Sequence, residues 1–265
     1  MKIGITQLCI PGTVAEVITK VTGWGYEVIE LGMKTEGGIL NLSQSAQEQK
    51  DMAAQISDAG LDLVSLVGSP VQEAGSMFAA EKGSRDAAHD ACREVVDTAV
   101  RMGADTVLLV PGRLTGEVCY DEAMDLLIES LRAVAPYAEQ AGISLAIEQV
   151  WNKFLVSPMD MKTVIEGADS KAVGVYMDTG NMLFWNYPEH WIRILAAYIK
   201  KIHFKDFTRE GMTLKFVPLR EGDVNWDAVM TEIRAAGYDG PVISEVGGED
   251  EIHARMAEVM KEIIS

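Results

Sequence analysis

Cysteine is scarce in this chain, and the three present, Cys9, Cys92 and Cys119, are odd in number and far apart. That usage fits neither a disulfide framework nor a CxxC metal site and reads as reduced thiols. Long apolar runs are missing too: the longest are of strand length, well short of the ~18 residues that indicate a membrane span. The beginning, "MKIGITQLCI", lacks the successive basic, apolar and cleavage regions of a secretory leader, so a soluble, cytoplasmic protein with no membrane association is expected. Positive charge is outnumbered, 23 Lys and Arg against 40 Asp and Glu, for a formal net charge of −17. Such an average field repels polyanions and argues against nucleic acid as a partner, although a small anionic substrate can still be met by a locally positive pocket.

What is present is ordinary globular material of 265 residues, 48% hydrophobic and 24% charged, arranged in a repeating pattern. An amphipathic stretch stops at glycine and a β-rich apolar run begins within a few residues, as in "VTGWGYEVIEL", "SDAGLDLVSLV", "VRMGADTVLLV", "EQAGISLAIEQV" and "RAAGYDGPVISEV". Glycine just past a helix tolerates the left-handed conformation, so each instance marks a helix feeding a strand. Adding "KIGITQL", "AVGVYMD" and "YIKKIHFKD" yields eight strands centred near residues 5, 29, 64, 108, 146, 175, 202 and 243. Eight strands alternating with helices predict an α/β fold, a closed (β/α)8 TIM barrel, as a single domain over residues 1–265. The rival open, doubly wound sheet usually carries GxGxxG after its first strand, where this chain has "CIPGTVAEV".

A barrel places its active site at the C-terminal strand ends, with alternate residues facing inward. Four polar strand ends stand out: Glu148 in "LAIEQV", Asp178 in "VGVYMDTGN", His203 in "KIHFKD" and Glu245 in "VISEVGG". Alternation pairs them with Ala146, Tyr176, Lys201 and Ile243 on the inner face, and turns Ile147, Met177, Ile202 and Ser244 toward the helices. One buried carboxylate or histidine is more often a satisfied structural group. Three carboxylates buried together cost several kcal/mol per unpaired charge unless a cation neutralises them. An oxygen-rich set with one imidazole and no thiolate suits one divalent ion, Mn²⁺ or Mg²⁺, with Co²⁺ or Zn²⁺ also accommodated.

The segments "LAIEQV", "YMDTGN", "IHFKDF" and "PLREGDVNWDAVMTEIRAAGYDGPVISEV" resemble the xylose-isomerase-like barrels of sugar phosphate isomerases and epimerases. The resemblance spans most of the chain and implies that Glu148, Asp178, His203 and Glu245 bind the metal. Their spacing is similar to that of L-xylulose-5-phosphate and hexulose-6-phosphate-type enzymes. Free-ketose 3-epimerases commonly have histidine where this chain has Asn181 and a second glutamate where it has Phe154; asparagine is frequent in the sugar-phosphate branch.

The implied reaction acts on a ketose or ketose phosphate through an enediolate, with 3-epimerisation by Glu148 and Glu245 as opposing catalytic bases. A keto-sugar dehydratase or lyase, or a non-catalytic sugar-binding barrel, would use the same residues. Apurinic-site endonucleases share the fold but need several more metal histidines than the four present here. Substrate-contact candidates are Glu30, which is equally placed to orient a ligand or form a salt bridge, Trp151 and Asn152 as a sugar-stacking wall or core cap, Asn181, and Lys205 as an oxyanion contact or structural ion pair. Arg113 in "VPGRLTG" is a candidate for phosphate, and Arg220 in "LREGD", where the family often has glycine, is either a phosphate contact or part of a solvated loop. A homo-oligomer is allowed, since barrels of this size often pair.

Overall fold

The chain, described by a computed structural model for residues 1–211 and 213–265, closes eight parallel strands into a ring. The strands in chain order are β1 (Ile3–Thr6), β2 (Val28–Lys34), β3 (Leu40–Asn41), β4 (Asp62–Gly68), β5 (Thr106–Leu109), β6 (Ser144–Glu148), β7 (Val173–Asp178), β8 (Ile199–Phe204), β9 (Asp206–Glu210), β10 (Thr213–Val217) and β11 (Val242–Ser244). Around the barrel the order is β1, β2, β4, β5, β6, β7, β8, β11, and β11 pairs back onto β1. All eight expected strands, five from the glycine-punctuated pattern and three added to it, are present, and together they form the TIM barrel.

The helices are α1 (Val14–Gly23), α2 (Ala46–Asp58), α3 (Ser69–Ala74), α4 (Lys82–Met102), α5 (Tyr120–Ala141), α6 (Pro158–Ala168), α7 (Thr179–Trp185), α8 (Pro188–Leu195), α9 (Trp226–Ala235) and α10 (Asp250–Ile264). Thr13 with Glu16, and Ser45 with Glu48, form capping boxes that start α1 and α2. The glycines of the five repeated motifs, Gly25, Gly60, Gly103, Gly142 and Gly237, have φ of 83°, 80°, 80°, 72° and 69°. A side chain would strain each of these turns, which is why the same residue recurs where a helix hands over to a strand. Among the described residues no helix is long and apolar enough to cross a membrane.

Alternation along the strands sorts side chains into two layers. Val28, Val67, Leu108, Ala146, Tyr176 and Ile243 fill the interior as one cluster. Ile147, Met177 and Ile202 belong to the larger cluster between strands and helices, each burial contributing roughly 1.5–3 kcal/mol. Two register shifts modify this alternation. Ile29 faces Leu63 but Glu30 faces Ser65, leaving Val64 unmatched. Val175 faces Ile199 but Tyr176 faces Lys201, leaving Lys200 unmatched. The second shift sets Asp178 directly beside His203.

Elements absent from the sequence expectation are the short β3, the helices α3 and α7, and the antiparallel hairpin of β9 and β10. The hairpin register places Val217 against Asp206 and Phe216 against Phe207. Asp206 anchors it: the buried carboxylate accepts from the backbone N–H groups of Arg220 (3.1 Å), Gly222 (3.3 Å) and Val224 (3.2 Å) and from Trp226 Nε1 (3.1 Å).

Candidate active site and metal centre

Glu148 ends β6, Asp178 ends β7, His203 lies one residue before the end of β8, and Glu245 follows β11. Strand register therefore brings residues far apart in the chain to one end of the barrel. One potential ligand atom from each of the four lies within 4.8 Å of the others. His203 Nδ1 is 3.2 Å from Glu245 Oε2, 3.5 Å from Glu148 Oε1 and 3.8 Å from Asp178 Oδ2. Asp178 divides its oxygens between two tasks. Oδ1 accepts from Asn181 N at 2.6 Å and caps α7, whereas Oδ2 turns to the cluster.

The donor chemistry fits a divalent cation. Asp178 Oδ2, His203 Nδ1 and Glu245 Oε2 are buried without a hydrogen-bond partner, and unmet polar atoms at such a density ordinarily mark a missing ligand. Three carboxylates and one imidazole converge there without a thiolate, matching the expected oxygen-rich set.

Protonation preferences carry the same message. Burial raises the Asp178 carboxyl well above its usual range, with Lys205 opposing and the charges of Glu245 and Glu148 reinforcing the shift. Burial also raises Glu148, opposed by the nearby His203 imidazole and helped by the Glu245 charge. Glu245 moves the other way: burial acts to raise it, but the imidazole of His203 beside it and the Lys205 charge outweigh that effect. Anionic groups this crowded divide into protonated and ionised members when positive charge is short.

Lys205 supplies part of that charge. Its Nζ lies 3.1 Å from Glu245 Oε2 and 3.7 Å from Asp178 Oδ2, and these carboxylates raise its pKa against the effect of burial. Asn181 links the two sides of the site, donating from Nδ2 to Glu148 Oε1 at 3.2 Å and accepting from Lys205 Nζ at 3.4 Å. Trp151 stands on the rim, its ring stacked on Phe216 with centroids 5.2 Å apart and its Nε1 donating to the Asn181 carbonyl at 3.3 Å.

Other expected contacts lie elsewhere. The Asn152 amide is spent on backbone: Nδ2 donates to the Gly112 carbonyl at 2.7 Å and Oδ1 accepts from Phe154 N at 3.1 Å. It braces two loops instead of lining a sugar wall. Glu30 is fully buried beneath the cluster, 2.9 Å from His203 Nε2, and has no exposed oxygen to offer a substrate. Arg220 has φ 68° and directs its guanidinium to Glu262 on α10 at 2.8 Å, a surface ion pair. Arg113 lines a separate cavity of about 310 Å³ with Ser76, Glu81, Ser84 and Thr115. Phe154 packs between the rings of Phe78 and Tyr120, so that position faces the core.

Three contributors escaped sequence reasoning. Ser65 was an unremarked polar residue inside "LVSLV", and Phe216 belongs to the unforeseen hairpin. Cys9 is the third: burial pushes its thiol up to about 11, with the Glu245 charge adding to the shift. The three cysteines are free, as expected.

Comparison with known proteins agrees with this fold. The pattern defining the Xylose isomerase-like TIM barrel family matches residues 18–263. An L-ribulose-5-phosphate 3-epimerase, UlaE, of Salmonella paratyphi C is 23% identical over 235 residues, 85% of this chain and 79% of that protein. A 3-oxo-isoapionate decarboxylase of Pectobacterium atrosepticum is 29% identical over 161 residues, 58% of this chain and 56% of the other, so the match spans little more than half of that relative. Among solved structures, a D-psicose 3-epimerase crystallised with D-fructose superposes with a TM-score of 0.82 at 17% identity, covering 100% of this chain and 99% of that one.

Proposed function

The chain belongs to the xylose isomerase-like TIM barrel family, and from that premise we propose that it is a divalent-metal-dependent sugar epimerase acting at C3 of a ketose or ketose phosphate. The observation that carries this reading is the convergence of Glu148, Asp178, His203 and Glu245 with three of their atoms buried and making no hydrogen bond. Its relatedness to an L-ribulose-5-phosphate 3-epimerase supports the same reaction class.

Those four residues would hold the ion, Mn²⁺ or Mg²⁺ by donor type, and its charge would acidify the C–H bond next to the ketose carbonyl. The protein supplies the proton chemistry. Glu148 and Glu245 stand on strand positions separated by β7 and β8 around the mouth, so they address opposite faces of a substrate carbon. One carboxylate removes the C3 proton and the other, in its acid form, returns a proton from the far side, inverting the centre. Lys205 donates to the oxygen on which negative charge grows, and Asn181 keeps Glu148 and Lys205 in fixed relation. Trp151 and Phe216 shield one side of the mouth from water.

The test is isotopic. In deuterium oxide with excess Mn²⁺, Glu148→Gln and Glu245→Gln should each abolish net epimerisation. One of them should still wash deuterium into C3 of the unchanged substrate, and the roles should swap when the epimer is supplied. Inversion at the wild-type rate by either metal-replete variant would exclude two opposing bases. A second reading, lyase chemistry on a keto-sugar, is favoured by the relative that is a decarboxylase. Loss of carbon dioxide or water from the substrate, in place of a second epimer, would establish it. A wild-type protein that takes up none of Mn²⁺, Mg²⁺, Co²⁺ or Zn²⁺ would leave a sugar-binding barrel as the remaining account.

A further inference from the structure

Below the four converging residues the barrel interior holds a second polar group, and it has no solvent access. Glu30 Oε2 accepts from the Tyr176 hydroxyl at 2.6 Å and from the Ser65 hydroxyl at 2.7 Å, while Oε1 lies 2.9 Å from His203 Nε2. All four residues are at most 2% exposed. We propose that Ser65 and Tyr176 act through Glu30 as positioning residues, holding the His203 ring so that Nε2 is committed as a donor and Nδ1 alone faces the metal.

The hydrogen-bond inventory leads to that assignment. Two hydroxyls and one imidazole nitrogen converge on two oxygens of one side chain. With both hydroxyls donating to Oε2, an ionised Glu30 can only accept, which assigns Nε2 as the third donor. Since Nε2 donates, the ring nitrogen left with a lone pair in the neutral imidazole is Nδ1, which is the one 3.2–3.8 Å from Glu245, Glu148 and Asp178. The Tyr176 ring also packs on the imidazole, with centroids 4.5 Å apart, limiting its rotation.

The register shift between β2 and β4 admits Ser65 to this group. Leu63 and Leu66 face the helix layer, whereas Val64 packs with the interior cluster and Ser65 bonds to Glu30. Two successive residues of β4 therefore turn inward, which regular alternation forbids, and the unmatched Val64 makes it possible. Without the shift Val64 would stand opposite Glu30, and one of the three donors would be lost. Glu30 and Tyr176 lie on opposite sides of the ring, so the bonded group spans the barrel and ties the histidine to β2 and β4, which carry none of the four metal-site residues.

The inference rests on the metal-site reading above, and two measurements separate their fates. Mn²⁺ affinity by titration calorimetry should fall about 10–100-fold in Glu30→Gln and about tenfold in the Ser65→Ala/Tyr176→Phe double variant, at retained fold by circular dichroism. In proton NMR of the metal-free protein, a downfield, exchange-protected imidazole N–H, assigned by its absence from His203→Ala, should disappear in Glu30→Gln and shift in the double variant. If Glu30→Gln does not fold, the double variant carries both readouts. Folded variants that bind Mn²⁺ within about twofold of wild type and leave that resonance unmoved would overturn the proposal. A wild type that binds no divalent ion would sink the metal reading, and the N–H resonance alone would then decide whether Glu30 holds the ring.

Discussion

Lys205 occupies an unusual position, because its ammonium neutralises the carboxylates that the metal would also claim. At 3.1 Å from Glu245 and 3.7 Å from Asp178 it is attracted to the anions and repelled by any cation seated among them. Lys205→Met should therefore tighten Mn²⁺ binding several-fold while depressing turnover, a split visible by comparing calorimetry with steady-state rates. Weaker Mn²⁺ binding in that variant would show that the lysine orients the carboxylates instead of competing with the metal. Gly180 belongs to the same design: a Cβ there would come within 2.8 Å of Lys205 Cγ, so the lysine lies across a helix turn that has no side chain. The ion pairing of Lys205 was among the sequence expectations, but its approach to Gly180 is not legible in "IHFKDF" or "YMDTGN", because contact between a strand end and the first turn of α7 depends on tertiary placement and no local pattern encodes it.

The hairpin of β9 and β10 has no counterpart in the sequence expectation. Its strands are five residues each, short enough to pass for loop, and their partner lies only a turn away instead of in the barrel. What holds the hairpin base is Asp206, whose four N–H donors come from the segment that returns toward α9. Asp206→Ala leaves those donors unmet in a buried place and should cost on the order of 3 kcal/mol, measured as a lower denaturant midpoint. The hairpin also carries Phe216, which stacks on Trp151; the same variant should raise the substrate KM more than it lowers kcat. An unchanged KM would detach the hairpin from substrate binding.

At the scale of the molecule, a ring of eight strands gathers several acidic groups at one end of a chain already at −17. Binding a divalent ion there relieves repulsion in the folded state only, so the ion should stabilise the whole barrel. At 100 times its dissociation constant, Mn²⁺ contributes about 2.7 kcal/mol, or roughly 5–10 °C in melting temperature for a domain of this size. A chelator should remove that increment. Calorimetric scans that coincide with and without Mn²⁺ would exclude an ion bound at the strand ends of the native state.

The linear chain by itself determined the alternation of helix and strand, because glycine at each handover and period-two burial are local properties. It also determined which strand ends bear Glu148, Asp178, His203 and Glu245, since inward facing follows from counting by two. Tertiary structure decided what those side chains meet. Only barrel closure brings Glu30 on β2 to Tyr176 on β7, 146 residues away, and only the register shift at Val64 turns Ser65 toward them. Counting by two fails at that shift, and no residue type announces it. Arg220 and Asn152 looked available in sequence for the same reason: the partners that engage them, Glu262 and the Gly112 carbonyl, are set by where separate helices and loops come to rest.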